Sequence, residues 1–342
     1  MTKHKKELPT FNVISGGVVK EILCQLGNQA IDIVSGAYQA HEAGNTVNPD
    51  SYFLKFPEQP QNRIIALPAA ITSELTAVSG IKWIASYPDN IKVGLPRASA
   101  VLVLNDPQTG YPFAFMESAL ISAVRTAASA VLGAYELCGR KREVKKLAIV
   151  GGGVIARNIL KMFCADDWLV KELVVNDLDP ESSISLVNYA LENGVLAARS
   201  TELMEALSAD VVVFATNAGE PYVLDPATFK PGQIVLNISL RDLGADIVNQ
   251  AYNFFDDIDH CIKANTSPHL AEQKYGNRNF VTGTVAQVVR DEIPLSYDKP
   301  IIYSPFGMGI LDLALGNVVH NRAVKEGRAI QIPHFFGEES RW

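Results

Sequence analysis

A glycine-rich turn between an apolar run and a helical pattern constrains this chain more than any other feature. The run Leu147–Val150 leads directly into Gly151–Ala156, which has the spacing G-x-G-x-x-A and is followed by a helical pattern. At this spacing Gly151 permits a tight turn and Gly153 lets the backbone approach a pyrophosphate. Ala156 is small enough for the helix to pack on the strand, and the helix amino terminus supplies positive potential. Strand, turn and helix together predict a dinucleotide-binding site.

The acid Asp177 specifies which dinucleotide is expected. It ends the next strand-like run, Glu172–Asn176, and lies 26 residues after Gly151, close to the roughly 20-residue spacing of a ribose-binding carboxylate. Such a carboxylate accepts hydrogen bonds from the ribose hydroxyls and repels a 2′-phosphate, and no arginine follows it. The pattern therefore favours NAD over NADP. The alternative is a solvated turn aspartate in a fold that binds no dinucleotide.

The predicted elements change character in the middle of the chain. Residues 13–43 are predicted to be helical, and five strand-like runs follow before a long Ala-rich helix at Ser118–Leu137. These runs are Ser51–Phe56, Arg63–Leu67, Gly80–Ala85, Ala98–Asn105 and Tyr111–Met116. From Lys146 onward short apolar strands alternate with helices, which indicates a parallel sheet. A last amphipathic helix, Gly309–Glu326, is expected to return to the first domain.

The predicted fold class is α/β, with a Rossmann-type doubly wound parallel sheet inserted in a mixed α+β domain. The expected boundaries are 1–125 and 313–342 for the substrate domain and 126–312 for the NAD-binding domain.

Composition excludes several classes of protein. The 342 residues carry a net charge of −7, which argues against a partner such as nucleic acid. The first residues lack the apolar region of a signal peptide, and we find no uncharged run long enough to span a membrane. The four cysteines are scattered without a CxxC pair and are interpreted as buried small hydrophobes in a reducing compartment. We therefore predict a cytoplasmic protein that binds neither nucleic acid nor membrane, and no metal site.

Five basic residues in the first domain interrupt apolar patterns. They are Lys55, Arg63, Lys82, Arg97 and Arg125. A single lysine or arginine of this kind often extends its charge to solvent or pairs with a surface acid. Five of them in an acidic protein indicate instead a site for carboxylates or phosphates, above all at Arg125, whose helix is Ala-rich on nearly every side.

Asp242 is the candidate acid–base residue. It follows the buried-looking strand Ile234–Ile238, and ligands of open α/β sheets bind at the carboxyl ends of such strands. The alternative is an aspartate that caps the following turn.

At this point the chain resembles the ornithine cyclodeaminase/mu-crystallin family over nearly its whole length. The segments that carry the resemblance are Gly80–Ile84, Leu104–Asp106, Gly110–Pro112, Arg125–Ser129, the glycine turn, Asn237–Asp242 and Gly307–Asp312. Within the family the likeness is greatest to members that cleave N-(2-amino-2-carboxyethyl)-L-glutamate oxidatively with NAD, giving L-2,3-diaminopropionate and 2-oxoglutarate. Three further segments carry that closer likeness: Asn48–Phe53, Arg63–Pro68 and Pro96–Ala100.

The resemblance implies roles for individual residues. It implies substrate contacts for Lys55, Lys82, Arg125 and Gly307, and a catalytic role for Asp242 with Lys82. The implied cofactor contacts, which include the glycine turn, are Thr126, Gly151, Gly153, Val154, Ile155, Asp177, Thr216, Leu236, Asn237, Ile238, Ser239 and Phe306.

Two departures from the cyclodeaminase pattern bear on the substrate. Ala66 stands where cyclodeaminases carry a glutamate, and Asp242 is followed by Leu243–Asp246 instead of a Pro-Gly-Lys loop. A site for the second ammonium of ornithine would keep an acid, whereas a substrate with three carboxylates calls for added cations. Arg63 and Arg97 are such additions, although Arg97 could equally reach the cofactor phosphates.

The implied reaction begins with the secondary amine of the substrate between Asp242 and Lys82. Asp242 accepts the amine proton, hydride leaves for NAD, and water cleaves the imine. The alternatives are ornithine cyclodeamination, another amino-acid dehydrogenation or ketimine reduction on the same scaffold, and a non-catalytic mu-crystallin-like binding protein. The resemblance also implies a homodimer formed through the first domain, an upstream pyridoxal-phosphate-dependent synthase, and a product used for a siderophore or a peptide antibiotic.

Overall fold

The computed structural model describes residues 9–73 and 77–338, which form two compact units. Among the described residues, the first unit comprises 9–26, 43–73, 77–125 and 308–338, and the second comprises 27–42 and 126–307. Residues 27–42, which the predicted boundaries place with the first domain, group with the second unit. One reason is that Tyr38 in this segment donates or accepts a 2.7 Å hydrogen bond with Ser129, inside the second unit.

The strands share two sheets, one in each unit. They are β1 (Phe11–Ile14), β2 (Thr46–Val47), β3 (Tyr52–Phe56), β4 (Gln59–Ile71), β5 (Val78–Ser86), β6 (Ala98–Asn105), β7 (Pro112–Glu117), β8 (Glu143–Val150), β9 (Leu169–Asn176), β10 (Ala198–Ser200), β11 (Val211–Phe214), β12 (Ile234–Asn237), β13 (Tyr252–Phe255), β14 (Val281–Thr284), β15 (Ile301–Ser304) and β16 (Ile330–Ile332).

The helices flank these sheets. They are α1 (Gly16–Leu26), α2 (Gln29–Glu42), α3 (Ala119–Leu137), α4 (Val154–Ala165), α5 (Pro180–Glu192), α6 (Leu203–Ala206), α7 (Ala245–Gln250), α8 (Ile258–Cys261), α9 (Ser267–Tyr275), α10 (Val285–Val289) and α11 (Gly309–Lys325), with a 3-10 helix at Pro88–Val93.

The sheet of the second unit is parallel, in the order β10-β9-β8-β11-β12-β15-β13-β14. Strands β11, β12 and β15 are buried along their whole length, because helices on both faces require apolar side chains on both faces. Burial of each valine or isoleucine contributes about 1.5–3 kcal/mol. The strand order reverses between β8 and β11, which is where open α/β sheets bind their ligands. The predicted doubly wound sheet is confirmed.

The sheet of the first unit is mixed, in the order β16-β1-β7-β6-β5-β4-β2, and β3 also pairs with β4. Helix α11 packs on one face of this sheet, and glycines allow a close approach. A methyl group on Gly316 would come within 2.2 Å of Leu102 Cδ2, and one on Gly309 within 3.0 Å of Ala69 Cβ. Such contacts would push the helix outward, so its register on the sheet depends on these glycines.

The predicted strands and the long helix of the first half are observed within a few residues of their expected ends. The continuous helix over residues 13–43 was wrong, because β1 occupies residues 11–14 and Gly27, at φ +54°, separates α1 from α2. The expectation of buried cysteines holds for Cys261 alone, since Cys24 is exposed and the other two are half-buried. In the described ranges, we find no helix with the length and apolarity needed to cross a membrane.

Candidate functional site

The Lys82 cluster consists of Lys82, Ser122, Arg125 and Asp312, all in the first unit. Lys82 lies on β5, and its Nζ is 2.6 Å from Asp312 Oδ2 on α11 and 3.2 Å from Ser122 Oγ on α3. Both members of this ion pair are buried, with side-chain exposures of 2% for Lys82 and 0% for Asp312. A charge so far from water requires a partner, and here the partner comes from 230 residues away.

Arg125 completes the cluster with much of its donor capacity unused. Its Nε lies 3.5 Å from Asp312 Oδ1, and its Nη2 donates a 3.4 Å hydrogen bond to Ser122 Oγ. Among the described residues, Arg125 Nε and Asp312 Oδ1 are both buried without a well-formed hydrogen bond. A guanidinium offers five N–H donors in a planar fork, so Arg125 has donors to spare for a carboxylate.

The surroundings of Lys82 set its protonation. Burial lowers the pKa of Lys82 to about 8, the negative charge of Asp312 opposes this effect, and the positive charge of Arg125 adds to it. Lys82 is therefore mostly an ammonium at neutral pH and loses its proton under mildly basic conditions.

A second cation group consists of Lys55, Arg63 and Arg97 in the same unit. Lys55 and Arg63 are cross-strand neighbours on β3 and β4, and Arg63 pairs in register with Ser86 on β5. Arg97 donates a 3.1 Å hydrogen bond to Ser86 Oγ. Burial and, to a smaller extent, the charge of Arg63 lower the pKa of Arg97. No carboxylate of the described residues forms an ion pair with these three cations, so an external anion would relieve their mutual repulsion.

Strand register shows that the predicted cations share one face of the sheet. Lys82 lies opposite Leu67, and Lys55 opposite Arg63; side chains alternate along a strand, so all three cations lie on the face that α11 covers. Ala66 lies opposite Trp83 and points to the other face. Ala66 therefore does not line the face of Lys82, where β4 presents Ile65 and Leu67, and its comparison with the glutamate of the cyclodeaminases stays a prediction from the resemblance.

The glycine turn of the second unit fits a dinucleotide. Gly151 has φ +97°, and a Cβ there would lie 2.6 Å from the carbonyl oxygen of Ala215. Only glycine can therefore make the turn at this position. A Cβ on Gly153 would meet nothing within 4 Å, which leaves open space directly before α4. Val154 is exposed and Ile155 half-buried, while Ala156 is fully buried against the sheet. The open turn exposes the first N–H groups of α4, the arrangement that binds phosphate.

Asp177 lies beside this turn. Its Oδ2 accepts a hydrogen bond from the Gly152 backbone N–H, and its Oδ1 accepts one from Asp179 N at 2.8 Å. The structure thus brings the predicted ribose carboxylate to the glycine turn, as the βαβ geometry requires. Leu178, directly after it, is fully exposed.

Asp242 is buried and surrounded by hydroxyl groups at the carboxyl edge of the parallel sheet of the second unit. Its carboxylate accepts hydrogen bonds from Thr216 Oγ1, Ser239 Oγ and, at 3.0 Å, the Tyr222 hydroxyl, and its side chain is fully buried. Burial and the negative charge of Asp242 raise the pKa of Tyr222 above its usual range, so Tyr222 stays a donor. Gly244 is the N-cap residue of α7, and the carboxylate of Asp242 does not cap that helix.

The other predicted cofactor residues differ in what they can offer. Leu236 and Asn237 are completely buried, so the Leu236 side chain belongs to the sheet core. Asn237 Nδ2 donates a 3.0 Å hydrogen bond to Ser304 Oγ, and its Oδ1 is buried without a partner among the described residues. Ile238 and Thr126 are half-buried.

Sequence reasoning missed Asp256 as well as Asp312. Asp256 is buried, and its carboxylate accepts hydrogen bonds from the backbone N–H of Phe306 at 3.0 Å and of Gly307 at 2.7 Å. It therefore holds the turn after β15, where Gly307 has φ +90°. The signal was present, because Asp256 directly follows an apolar strand, much as Asp242 follows another. Asp312 stands alone as an acid among apolar residues in the first turn of α11.

Three comparisons with known proteins agree with this fold. The model of the ornithine cyclodeaminase/mu-crystallin family matches residues 17–327. The N-((2S)-2-amino-2-carboxyethyl)-L-glutamate dehydrogenase of Staphylococcus aureus is 31% identical over 310 residues, which cover 86% of this chain and 90% of that protein.

Two solved structures share the fold. The Thermococcus litoralis Δ1-pyrroline-2-carboxylate reductase, solved in complex with NADH and L-proline, gives a TM-score of 0.85 at 20% identity, covering 94% of this chain and 100% of that one. An archaeal alanine dehydrogenase dimer with bound NAD gives 0.84 at 23% identity, covering 95% and 99%.

Proposed function

Because the chain belongs to the ornithine cyclodeaminase/mu-crystallin family, we propose that it cleaves N-(2-amino-2-carboxyethyl)-L-glutamate oxidatively with NAD, giving L-2,3-diaminopropionate and 2-oxoglutarate. The observation that carries this choice of substrate is the excess of cations on one face of the first unit. The Lys82 cluster keeps a net charge of +1, and the second cation group adds three positive charges that no described acid neutralises.

The general activity is that of an NAD-dependent oxidoreductase acting on the CH–NH bond of an amino-acid-derived substrate. Relatives of the chain are named as dehydrogenases and reductases of this kind, and the glycine turn with Asp177 fits the dinucleotide. Bound NAD supplies the hydride acceptor of the reaction.

A substrate with three carboxylates suits the cation face. Arg125, beside Lys82, holds one carboxylate, and Arg63 and Arg97 hold another, since guanidinium groups pair well with carboxylates in a planar geometry. Lys82 and Ser86 are four residues apart on β5, a distance of about 13 Å along a strand. Two separated cation groups match a substrate whose acidic groups stand at its ends.

In the proposed reaction Asp242 accepts the proton of the substrate amine as the Cα–H bond of the glutamate part breaks and its hydride leaves. The carbon–nitrogen bond becomes an imine, water adds to the imine carbon, and collapse of the carbinolamine releases the two products. The hydroxyls of Thr216, Tyr222 and Ser239 donate hydrogen bonds to the carboxylate of Asp242 and fix its orientation, and a carboxylate fixed in this way can act as a general base.

The test is incubation of the purified protein with NAD and N-(2-amino-2-carboxyethyl)-L-glutamate, following NADH by absorbance and both products by mass spectrometry. We expect NADH, L-2,3-diaminopropionate and 2-oxoglutarate in equal amounts. Ornithine cyclodeamination would instead release ammonia without net NADH, and turnover of L-alanine or of a cyclic ketimine alone would assign another reaction of the family. Binding of NAD without turnover of any of these would indicate a non-catalytic binding protein.

A homodimer belongs to the same proposal. On the sheet face opposite Lys82, the described residues of the first unit expose large apolar side chains that include Tyr52, Leu54, Trp83 and Phe115, with exposures between 38% and 68%. Exposed apolar patches of this kind mark interfaces, and a second copy of the chain is the proposed occupant. Light scattering should give twice the chain mass of 37.2 kDa, and Trp83→Lys should shift the protein toward the monomer.

The place of the reaction in metabolism completes the proposal. A pyridoxal-phosphate-dependent synthase would supply the substrate in the cytoplasm, and the diaminopropionate would enter a siderophore or a peptide antibiotic. The genes beside this one distinguish the two uses.

A further inference from the structure

We infer that Asp312 is a positioning residue that sets the charge of the substrate site: it neutralises Lys82, fixes its ammonium, and leaves Arg125 as the surplus cation that takes a single substrate carboxylate. The inference rests on the proposed function for the identity of the substrate. It concerns a residue that would touch neither substrate nor cofactor and would act through its two neighbours.

The packing of α11 delivers the Asp312 carboxylate to Lys82. Gly309 and Gly316 lie one on each side of it in the helix, and both lie close against the sheet. A Cβ on Gly80, on the strand of Lys82, would lie 3.0 Å from Leu313 Cδ2 of this helix. The helix therefore has little freedom to move away from β5. The close contacts before and after Asp312 in the helix keep its carboxylate 2.6 Å from Lys82 Nζ.

The charges around Lys82 are few and can be named completely for the described residues. Asp312 faces it from α11 and Arg125 from α3, while its register neighbours on β4 and β6 are Leu67 and Leu102. Two cations and one anion leave a net charge of +1. Without Asp312, two buried cations would stand together, and the lysine would give up its proton to relieve the repulsion.

The two oxygens of Asp312 have different tasks. Oδ2 is committed to Lys82, whereas Oδ1 lies 3.5 Å from Arg125 Nε without a well-formed hydrogen bond. Asp312 thus attracts the guanidinium but does not saturate it, and a substrate carboxylate can form the bidentate contact that Asp312 does not.

The experiment is a double-mutant cycle read on KM for the substrate and on the Kd of 2-oxoglutarate measured by calorimetry. Lys82→Met leaves the Asp312 carboxylate without its ammonium partner. Asp312 then repels the substrate carboxylate that binds at Arg125, so both KM and Kd should rise steeply. Adding Asp312→Asn removes that repulsion, so the double variant should bind about tenfold more tightly than Lys82→Met, a coupling of the size seen between contacting residues. This order of affinities does not require Asp312→Asn to fold alone, because the double variant removes both charges of the Lys82–Asp312 ion pair together.

A pH profile separates this role from simple packing. With Asp312→Asn, the basic limb of kcat/KM should move to lower pH. Burial and the charge of Arg125 still lower the pKa of Lys82, whereas the negative charge of Asp312, which raises it, is gone. Glu143→Gln is the control, because Glu143 forms a 2.8 Å ion pair with Lys171 that is half-exposed. This variant should change neither KM, nor the Kd of 2-oxoglutarate, nor the position of the basic limb.

The outcomes for the inference and for the proposed function are distinct. If the wild type forms no NADH from the substrate, the proposed function fails, and the calorimetric cycle still judges Asp312. If the double variant binds no better than Lys82→Met, if the Asp312→Asn limb stays in place, or if the wild type binds no 2-oxoglutarate, the inference is overturned.

Discussion

The Tyr222 hydroxyl lies 3.0 Å from Asp242 Oδ1 and donates a hydrogen bond to it, in a region where the carboxylate has no access to water. Two more hydroxyls, of Thr216 and Ser239, reach the same carboxylate. A buried polar group needs hydrogen-bond partners, and three hydroxyl donors supply them here. This arrangement fixes the orientation of the candidate base inside the protein.

Replacement of the base itself should separate chemistry from cofactor binding. Asp242→Asn keeps the shape of the side chain but cannot take up a proton, so kcat should fall by about 10²–10⁴-fold. The Kd for NADH, measured by fluorescence, should change little, because the glycine turn and Asp177 are untouched. Near-normal turnover in the Asn variant would remove Asp242 from the mechanism.

Loss of one hydroxyl donor should lower turnover. Tyr222→Phe removes a hydrogen bond to the Asp242 carboxylate, and such a bond is worth about 0.5–1.5 kcal/mol. Because the bond orients the candidate base, kcat measured by steady-state kinetics should fall by about two- to tenfold.

A second Tyr→Phe substitution provides the control for that loss of turnover. Tyr252 also donates to an aspartate, Asp298, at 3.0 Å, but this pair is exposed. Tyr252→Phe should leave kcat unchanged. Equal losses of kcat in both variants would mean that the effect is not local to Asp242.

Arg125 should act on substrate capture. Arg125→Ala removes the cation with unused donors and should weaken kcat/KM by about 2–5 kcal/mol, mainly through KM. The control is Arg328→Ala, which removes an ion pair with Glu21 on the surface of the same unit and should leave KM unchanged. Unchanged kinetics in Arg125→Ala would leave Arg125 a structural role only.

Cofactor choice should depend on Asp177. Asp177→Ser removes the charge that repels a 2′-phosphate and keeps a hydroxyl near the turn. We expect the ratio of kcat/KM for NAD to that for NADP to fall by at least tenfold, a change of about 1.4 kcal/mol. Steady-state kinetics with both cofactors measures it, and an unchanged ratio would mean that Asp177 does not select NAD.

Local patterns in the sequence were sufficient for the second unit. The turn at Gly151, the acid at Asp177 and the run of apolar strands each depend on residues close together in the chain, and their spacing follows from the geometry of one strand, one turn and one helix. The same rule placed Asp242 at a strand end. Its hydroxyl donors were not predicted, because Thr216 and Tyr222 reach it from another strand end and loop.

Only the tertiary structure decided how the charges of the first unit are balanced. The sequence indicated that Lys82 interrupts an apolar strand. Its partner Asp312 is 230 positions away, and the pairing depends on the register of α11 over the sheet, which close glycine contacts set. Likewise β1 was missed because its partners, β7 and β16, are distant in sequence. Short-range periodicity encodes an element and its buried face, whereas the pairing of two buried charges is a property of how elements pack.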